Sequence, residues 1–324
     1  MDTSSHLLFG ITLAGLAMID PVIAGTDGAA AAMIAASLVG NNAPDFDGVM
    51  RVKGKAAYLR NHRGWTHALP VLPLWALVIG LPAAYLAGAE AAAWHIVGWT
   101  LAAVCLHVLL DLLNAYGVQC LRPMTKKWLH LDVISLFDPF LFSLHSAGAL
   151  LWAAGFMEPG PMFAVIYGLS IGYVILKFHF KHQAVSLLKK QGIPTDGLTM
   201  IPGLFGRYWQ FASENHEDFK LGTIQGSKVI VEAELPKQEP GHQLHPVIQA
   251  TMSTDGVRSF LSFADRYQVE WKEREEGYEV TWSDIRFWYN HKMPFRAAVR
   301  LDRNLNVMDE RIGWYKKSWE PPHV

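Results

Sequence analysis

Residues 61–88 read NHRGWTHALPVLPLWALVIGLPAAYLAG. The stretch changes character at one point. Up to His67 it carries His, Arg and Asn; from Ala68 to Gly88 it holds no Asp, Glu, Lys, Arg or His. About 20 consecutive apolar residues match the hydrocarbon thickness of a bilayer, so 67–88 is read as a membrane span with ionisable groups at its entrance. On either side, 93–115 and 161–178 repeat the apolar pattern. Three shorter candidates, 6–23, 28–41 and 140–157, also read as core helices of a soluble bundle. The Ala and Gly content of the first two suits close helix packing in lipid.

The whole chain is consistent with that start. Of its 324 residues 51% are hydrophobic and only 18% charged, and its mean hydropathy is +0.15. The apolar share is concentrated before residue 180, and from about 190 onward the chain is polar, charged and aromatic. This predicts a multi-pass α-helical membrane bundle over 1–185 and a soluble, mainly antiparallel β domain over 186–324. A net charge of -1 gives no bulk attraction to nucleic acid, so none is expected as a partner. Cys105 and Cys120 are too few for a disulfide framework or a thiolate zinc site, which leaves the 14 His as the informative count. The start, Met1-Asp2-Thr3-Ser4-Ser5-His6, has no basic region and no clean cleavage site, and is expected to be retained.

Basic residues sort the loops. Arg51, Lys53, Lys55, Arg60 and Arg63 fall in 42–66, Arg122, Lys126 and Lys127 in 116–134, and Lys181, Lys189 and Lys190 after 178. The turns near 24–28, 88–92 and 158–160 have no Lys or Arg. The positive-inside rule then makes the basic loops cytoplasmic. Six crossings of a plasma (inner) membrane put both termini on that side.

In the C-terminal part, Lys228–Leu235, His245–Met252, Tyr267–Lys272, Tyr278–Trp282 and Arg296–Leu301 alternate or run β-branched and aromatic, as half-buried strands do. Asp302-Arg303-Asn304-Leu305-Asn306 predicts a hairpin turn leading into 306–315, and Val257–Phe263 a short helix. Trp271, Trp282, Trp288 and Tyr289 are expected in the core of this domain rather than on a partner-binding surface.

Five polar features interrupt the apolar half: His6, Pro44-Asp45-Phe46-Asp47, His62-Arg63-Gly64-Trp65-Thr66-His67, His107-x-x-x-Asp111, and Asp132 with Asp138-Pro139. The predicted topology gathers all five on the cytoplasmic side. His107 and Asp111 are four apart and share one helix face, so they can present an imidazole and a carboxylate to one ion. Ionisable groups inside a span are costly and mark functional sites. His62 and His67 are five apart and splay on a regular helix, but Gly64 allows a loop that turns both inward. His and carboxylate donors suit Zn2+ or another divalent transition metal. Arg63 reads equally as a topology anchor and as a phosphate contact, and His6 and Asp138 also read as helix-start residues. His95 and His145 are taken as structural, and His130, His179 and His182 as interfacial.

In this order and spacing, the motifs, with Asn114-Ala115-Tyr116-Gly117 following Asp111, resemble the YdjM/YbcI-type membrane-bound metal-dependent hydrolases over roughly residues 1–180. The resemblance implies a multi-pass inner-membrane hydrolase, and implies nothing for the tail. The ligand order also resembles that of zinc-dependent phospholipase C. By that similarity Asp45, His67 or His62, His107 and Asp111 hold one zinc and His6 can join Asp111 on a second, while the downstream ligand set of a three-zinc centre has no counterpart here. No His-Glu-x-x-His, Gly-x-Ser-x-Gly or Walker-type loop is present.

The expectation is therefore a divalent-metal hydrolase of ester or phosphoester bonds at the cytoplasmic membrane surface. His6, Asp45, His67, His107 and Asp111 are the metal candidates. Asp47 or Asp138 serves as general base or orients a ligand His, His62 is a further candidate, and Arg63 meets substrate charge. The bilayer, and a lipid or phosphoester substrate within it, are the expected partners; a protein partner is not identified. The competing class is a non-enzymatic membrane scaffold, or a metal or proton transporter. A transporter places its polar residues near mid-membrane, whereas these lie at span ends.

Overall fold

The computed structural model describes residues 1–204, 206–237, 244–288 and 292–315. The chain divides into two compact units: Met1–Asp47 with Arg63–Lys181, and Gly48–His62 with His182–Val324.

The first unit is helical: α1 (Thr3–Ala17), α2 (Pro21–Gly25) and α3 (Ala29–Gly40) precede the excursion through α4 (Lys55–Asn61) of the second unit, and α5 (Leu72–Leu86), α6 (Ala93–Leu112), α7 (Pro139–Ala153) and α8 (Pro159–Lys190) follow it. Helix starts obey local chemistry. Asp2 caps α1 through Ser5 N at 3.1 Å, and Asp138 caps α7 through Phe140 N and Leu141 N, with Pro139 at the first helical position. α3 packs against α1, α5 and α6, and small residues make this possible. A Cβ on Gly10 would come within 3.1 Å of Leu38 Cα, and one on Gly80 within 3.0 Å of Val97 Cα.

Three segments are long and apolar enough to cross a membrane: Leu69–Leu86, Glu90–Leu112 and Pro159–Lys190. These coincide with the three clearest predicted spans, but α8 runs on well past residue 178. The other three expectations correspond to apolar helices of only 15, 12 and 15 residues. At 1.5 Å per residue these reach about 18–23 Å, short of a roughly 30 Å hydrocarbon layer. The long helices keep large apolar side chains outside. Leu74, Val78 and Tyr85 on α5, and Val165, Ile171 and Ile175 on α8, are each more than half exposed, as lipid-facing surfaces are.

The second unit holds two antiparallel sheets. β1 (Gly197–Pro202), β2 (Tyr208–Glu214), β3 (Asp218–Gln225) and β4 (Lys228–Pro236) form one, in that order; β5 (Tyr267–Arg274), β6 (Gly277–Asp284), β7 (Phe295–Asp302) and β8 (Val307–Trp314) form the other. Gly222 is required where β3 bulges against β4, because a Cβ there would sit 2.0 Å from Ile230 O. Leu221, Phe219 and Ala212 of the first sheet share a core with Ile285 and Trp288. Glu214 braces the unit by ion pairs to Lys237 and to Arg266, the latter at 2.8 Å. α10 (Asp255–Phe263) buries Val257, Phe260 and Phe263 on one stripe and packs on β7 and β8, while its first residue pairs with Arg60 of α4.

One expected strand is a helix. Residues 246–251 form α9 (Pro246–Thr251), with the His245 ring accepting from Val247 N. Val247 and Ile248 supply the β-like signal, but proline at the first helical position preorganises a helix. The sheet β1-β2-β3-β4 extends well beyond the single strand expected at Lys228–Leu235. The turn at Asp302 forms as expected, its carboxylate accepting from Asn304 N and Asn306 N at 2.8 Å each. Trp282 and Trp288 are buried as expected, but Trp271 is 38% exposed and stacks on His245. Tyr289 lies outside the described residues.

Asp284 and Arg286 form a fully buried ion pair at 2.7 Å, and Arg286 also donates to Phe263 O. Asp284→Asn leaves a buried guanidinium charge beside a neutral amide, which costs about 3–5 kcal/mol. A urea titration of the full chain in detergent, followed by fluorescence of the buried tryptophans, should show the β-unit transition move to lower urea, by that free energy divided by the m-value of the transition.

Candidate metal centre

Four donor atoms converge where α3 and α6 end: Asp45 Oδ1, His67 Nε2, His107 Nε2 and Asp111 Oδ2, all within 4.8 Å of one another. His107 and Asp111 lie one turn apart on α6, with Nε2 and Oδ2 separated by 3.5 Å. His67 closes the short 3-10 turn Trp65–His67, its Nε2 standing 3.2 Å from His107 Nε2 and 3.5 Å from Asp111 Oδ2. Asp45 comes from the 3-10 segment Ala43–Lys53, with Oδ1 3.5 Å from His67 Nε2 and 3.7 Å from His107 Nε2. Tetrahedral coordination with metal–donor bonds near 2.0–2.1 Å requires donors about 3.3 Å apart. The five measured edges, 3.2 to 3.7 Å, bracket that value.

The partners of the two imidazoles fix what their inner nitrogens can do. His107 Nδ1 lies 2.8 Å from Asn41 O. A carbonyl only accepts, so Nδ1 carries a proton, and on binding a metal Nε2 would give up any proton of its own and offer its lone pair inward. His67 Nδ1 lies 3.0 Å from Thr66 Oγ1, which donates at 2.8 Å to Asp47 Oδ2. The relay from ring to hydroxyl to carboxylate sets the same tautomer on His67. The two Nε2 atoms thus face each other across 3.2 Å, beside Asp111 Oδ2, a fully buried carboxylate oxygen with no hydrogen-bond partner among the described residues. Buried acceptors pointed at a common centre repel unless a cation lies between them. Burial raises the Asp45 carboxyl, but the adjacent His107 and His67 outweigh it and hold it well below the usual carboxylate range. The residues present fit a divalent transition metal.

The other oxygen of Asp111 organises a surrounding layer. Arg63 Nη2 donates to Asp111 Oδ1 at 2.8 Å, the Met1 amino nitrogen contacts the same oxygen, and His6 Nε2 is 3.4 Å away. His6 is fully buried and stacks on the His107 ring at 3.8 Å, so it joins the shell around the four donors. Arg63 is 6% exposed and also donates to Gly117 O and Asn114 Oδ1. Its guanidinium therefore orients Asp111 from within the protein. Its backbone adopts a left-handed φ of 58°, with its N–H held by Asp47 Oδ2 at 3.0 Å. Asp47 is thus tied to Arg63 and Thr66 and steadies His67 from behind.

Of the two histidines flanking Gly64, His67 supplies the donor, while His62 belongs to the second unit and stacks on Tyr58. Asp138 caps α7 and accepts from Tyr173 Oη at 3.0 Å. Asp132 accepts from His130 and faces Lys181. His145 is fully buried between Thr12 and Ser170, and His95 pairs with Asp20. Asn41 and Thr66 set the two ligand tautomers, and sequence reasoning had not singled either out for that role. Asn41 acts through a backbone carbonyl, which leaves no trace in residue type. Thr66, immediately before a ligand His, does leave one.

A membrane-embedded helical unit with a buried His/Asp donor set defines the class, and residues 1–184 match the YdjM inner membrane protein family, to which the chain belongs. Residues 246–319 match the YfhP C-terminal alpha/beta plait domain. Among named proteins, the chain is 35% identical over 322 residues to the uncharacterized protein YfhP of Bacillus subtilis (strain 168), covering 97% of this chain and 95% of that one. No solved structure matches.

Elemental analysis of the purified chain should find bound metal in the wild type and near-complete loss in His107→Ala and Asp111→Asn. Thr66→Val keeps all four donors but breaks the relay to Asp47, and should weaken metal affinity about 10–100-fold. Unchanged metal content in the first two variants would remove the site.

Proposed function

We propose that this protein is a membrane-bound, metal-dependent hydrolase of ester or phosphoester bonds, with its site at the cytoplasmic face. The observation that carries the reading is the pair of inward-facing imidazole nitrogens beside the buried Asp111 Oδ2. A divalent metal held there, zinc being the best match to the donor set, supplies Lewis acidity and an acidified water. The basic loops support the cytoplasmic side.

The residues divide the work. His67, His107 and Asp111 are fully buried and would hold the ion; Asp45, whose side chain is 24% exposed, is the donor that faces outward. Four protein donors make a closed site, as structural metals have, whereas catalysis needs one open position. Asp45 is the corner able to yield. It sits on a 3-10 segment rather than a regular helix, and it alone of the four reaches the surface. Where Asp45 did not serve as a ligand, its carboxylate would be placed to accept a proton from water as general base. Arg63 holds Asp111 in orientation through its 2.8 Å contact.

Hydrolysis of a phosphomonoester and phosphodiester panel should be abolished by a chelator and restored by Zn2+. Asp45→Ala should retain cobalt in place of zinc, and its visible spectrum should shift on adding azide, while wild type responds far less. Hydrolysis indifferent to chelation would sink the enzymatic reading. Loss of all metal from Asp45→Ala would instead make Asp45 an indispensable ligand of a structural site.

A further inference from the structure

The segments that supply Asp45 and His67 also carry large apolar side chains to the surface. Phe46, between Asp45 and Asp47, is 51% exposed. Its ring meets Trp75 edge-on at 5.9 Å, and the Trp75 indole N–H donates to Thr66 O at 3.1 Å, so this pair is anchored to the residue preceding His67. Trp65 is 54% exposed, with the Arg122 guanidinium 5.8 Å from its ring centre. Leu69, half exposed, begins the span Leu69–Leu86. The exposed donor, Asp45, is therefore flanked by an aromatic lip continuous with a membrane-crossing surface.

We propose, building on the hydrolase reading, that the substrate is a bilayer-borne amphiphile with an anionic phosphoester headgroup. Its headgroup enters beside Asp45 while its hydrocarbon chain lies along Phe46, Trp65 and Leu69. Three observations carry this. The spans begin and end at the site: His67 lies two residues before the start of the Leu69–Leu86 segment, and Asp111 stands in the last turn of Glu90–Leu112. That depth is where headgroups lie and where Trp rings partition. Arg122 places a cation at the lip, complementary to a phosphate. A small water-soluble phosphoester has no apolar part to cover Phe46 and Trp65, whereas an acyl chain does, at roughly 25 cal/mol per Å² of apolar surface removed from water.

The test uses the full-length, zinc-loaded chain in mixed micelles. The probes are dioleoyl phosphatidic acid and two counterparts with the same headgroup, dihexanoyl phosphatidic acid below its micellar threshold and glycerol phosphate. Binding is read by native mass spectrometry and hydrolysis by released phosphate. The long-chain lipid should bind, and should be cleaved with kcat/KM about tenfold or more above the short-chain form. Phe46→Ser with Trp65→Ser should retain zinc but lose that preference, and Phe46→Trp with Trp65→Phe should restore it. Equal handling of long and short chains, or a preference indifferent to the lip, makes these residues interfacial anchors only and overturns the proposal. Lipid bound through the lip but never cleaved overturns the hydrolase reading and leaves the lipid site standing. Cleavage of the soluble phosphoesters alone does the reverse, and neither binding nor cleavage of any probe overturns both.

Discussion

His67 Nε2 and His107 Nε2 approach to 3.2 Å at the centre of the donor cluster, each ring pinned by a proton acceptor on its far side. That arrangement is unfavourable in an empty apolar bundle and favourable around a cation. Much of the first unit is built to impose it. The end of α3 delivers the Asn41 carbonyl, the turn before α5 delivers His67 and Thr66, and α6 delivers His107 and Asp111. Close packing of α1, α3, α5 and α6 through Gly10 and Gly80 holds these ends within reach of one another. The buried polar groups are strongly interdependent, because each half-satisfied acceptor in a low-dielectric interior costs more than a hydrogen bond gained at the surface returns.

Asp111 shows how much one carboxylate can organise. One oxygen faces the donor cluster, while the other receives Arg63 and the Met1 amino group and lies near His6. The Arg63 guanidinium offsets the cost of burying that charge. Arg63 is also the residue whose backbone turns the chain back toward His67, so charge compensation and ligand placement depend on the same side chain and its neighbours.

The helical half was legible because lipid imposes a simple rule, a long run without charge, which Ala68–Gly88 satisfies outright. The short helices were visible as apolar segments, but their lengths were not, since capping and turns decide them. α6 announced its chemistry through the His107-x-x-x-Asp111 spacing, because helix geometry converts four residues into one face. The competition between His62 and His67 had no such solution: the irregular backbone between them, with Arg63 in a left-handed conformation, has no period. In the second unit, alternation found the strands from Lys228 on, yet missed β1, β2 and β3. It also misread 246–251, where the short-range signal of Pro246 outweighs β-branched neighbours.

The excursion of Gly48–His62 into the second unit has a consequence for biosynthesis. No single break in the chain separates the two units, because the first is interrupted between Asp47 and Arg63, two residues tied to each other by a hydrogen bond. The α4 segment lies early in the sequence, but the α10 helix it packs on lies some two hundred residues later. On a ribosome adding residues in order, α4 emerges long before the helix it packs on. Units fold as wholes, so the second unit cannot be completed before α10 has been made.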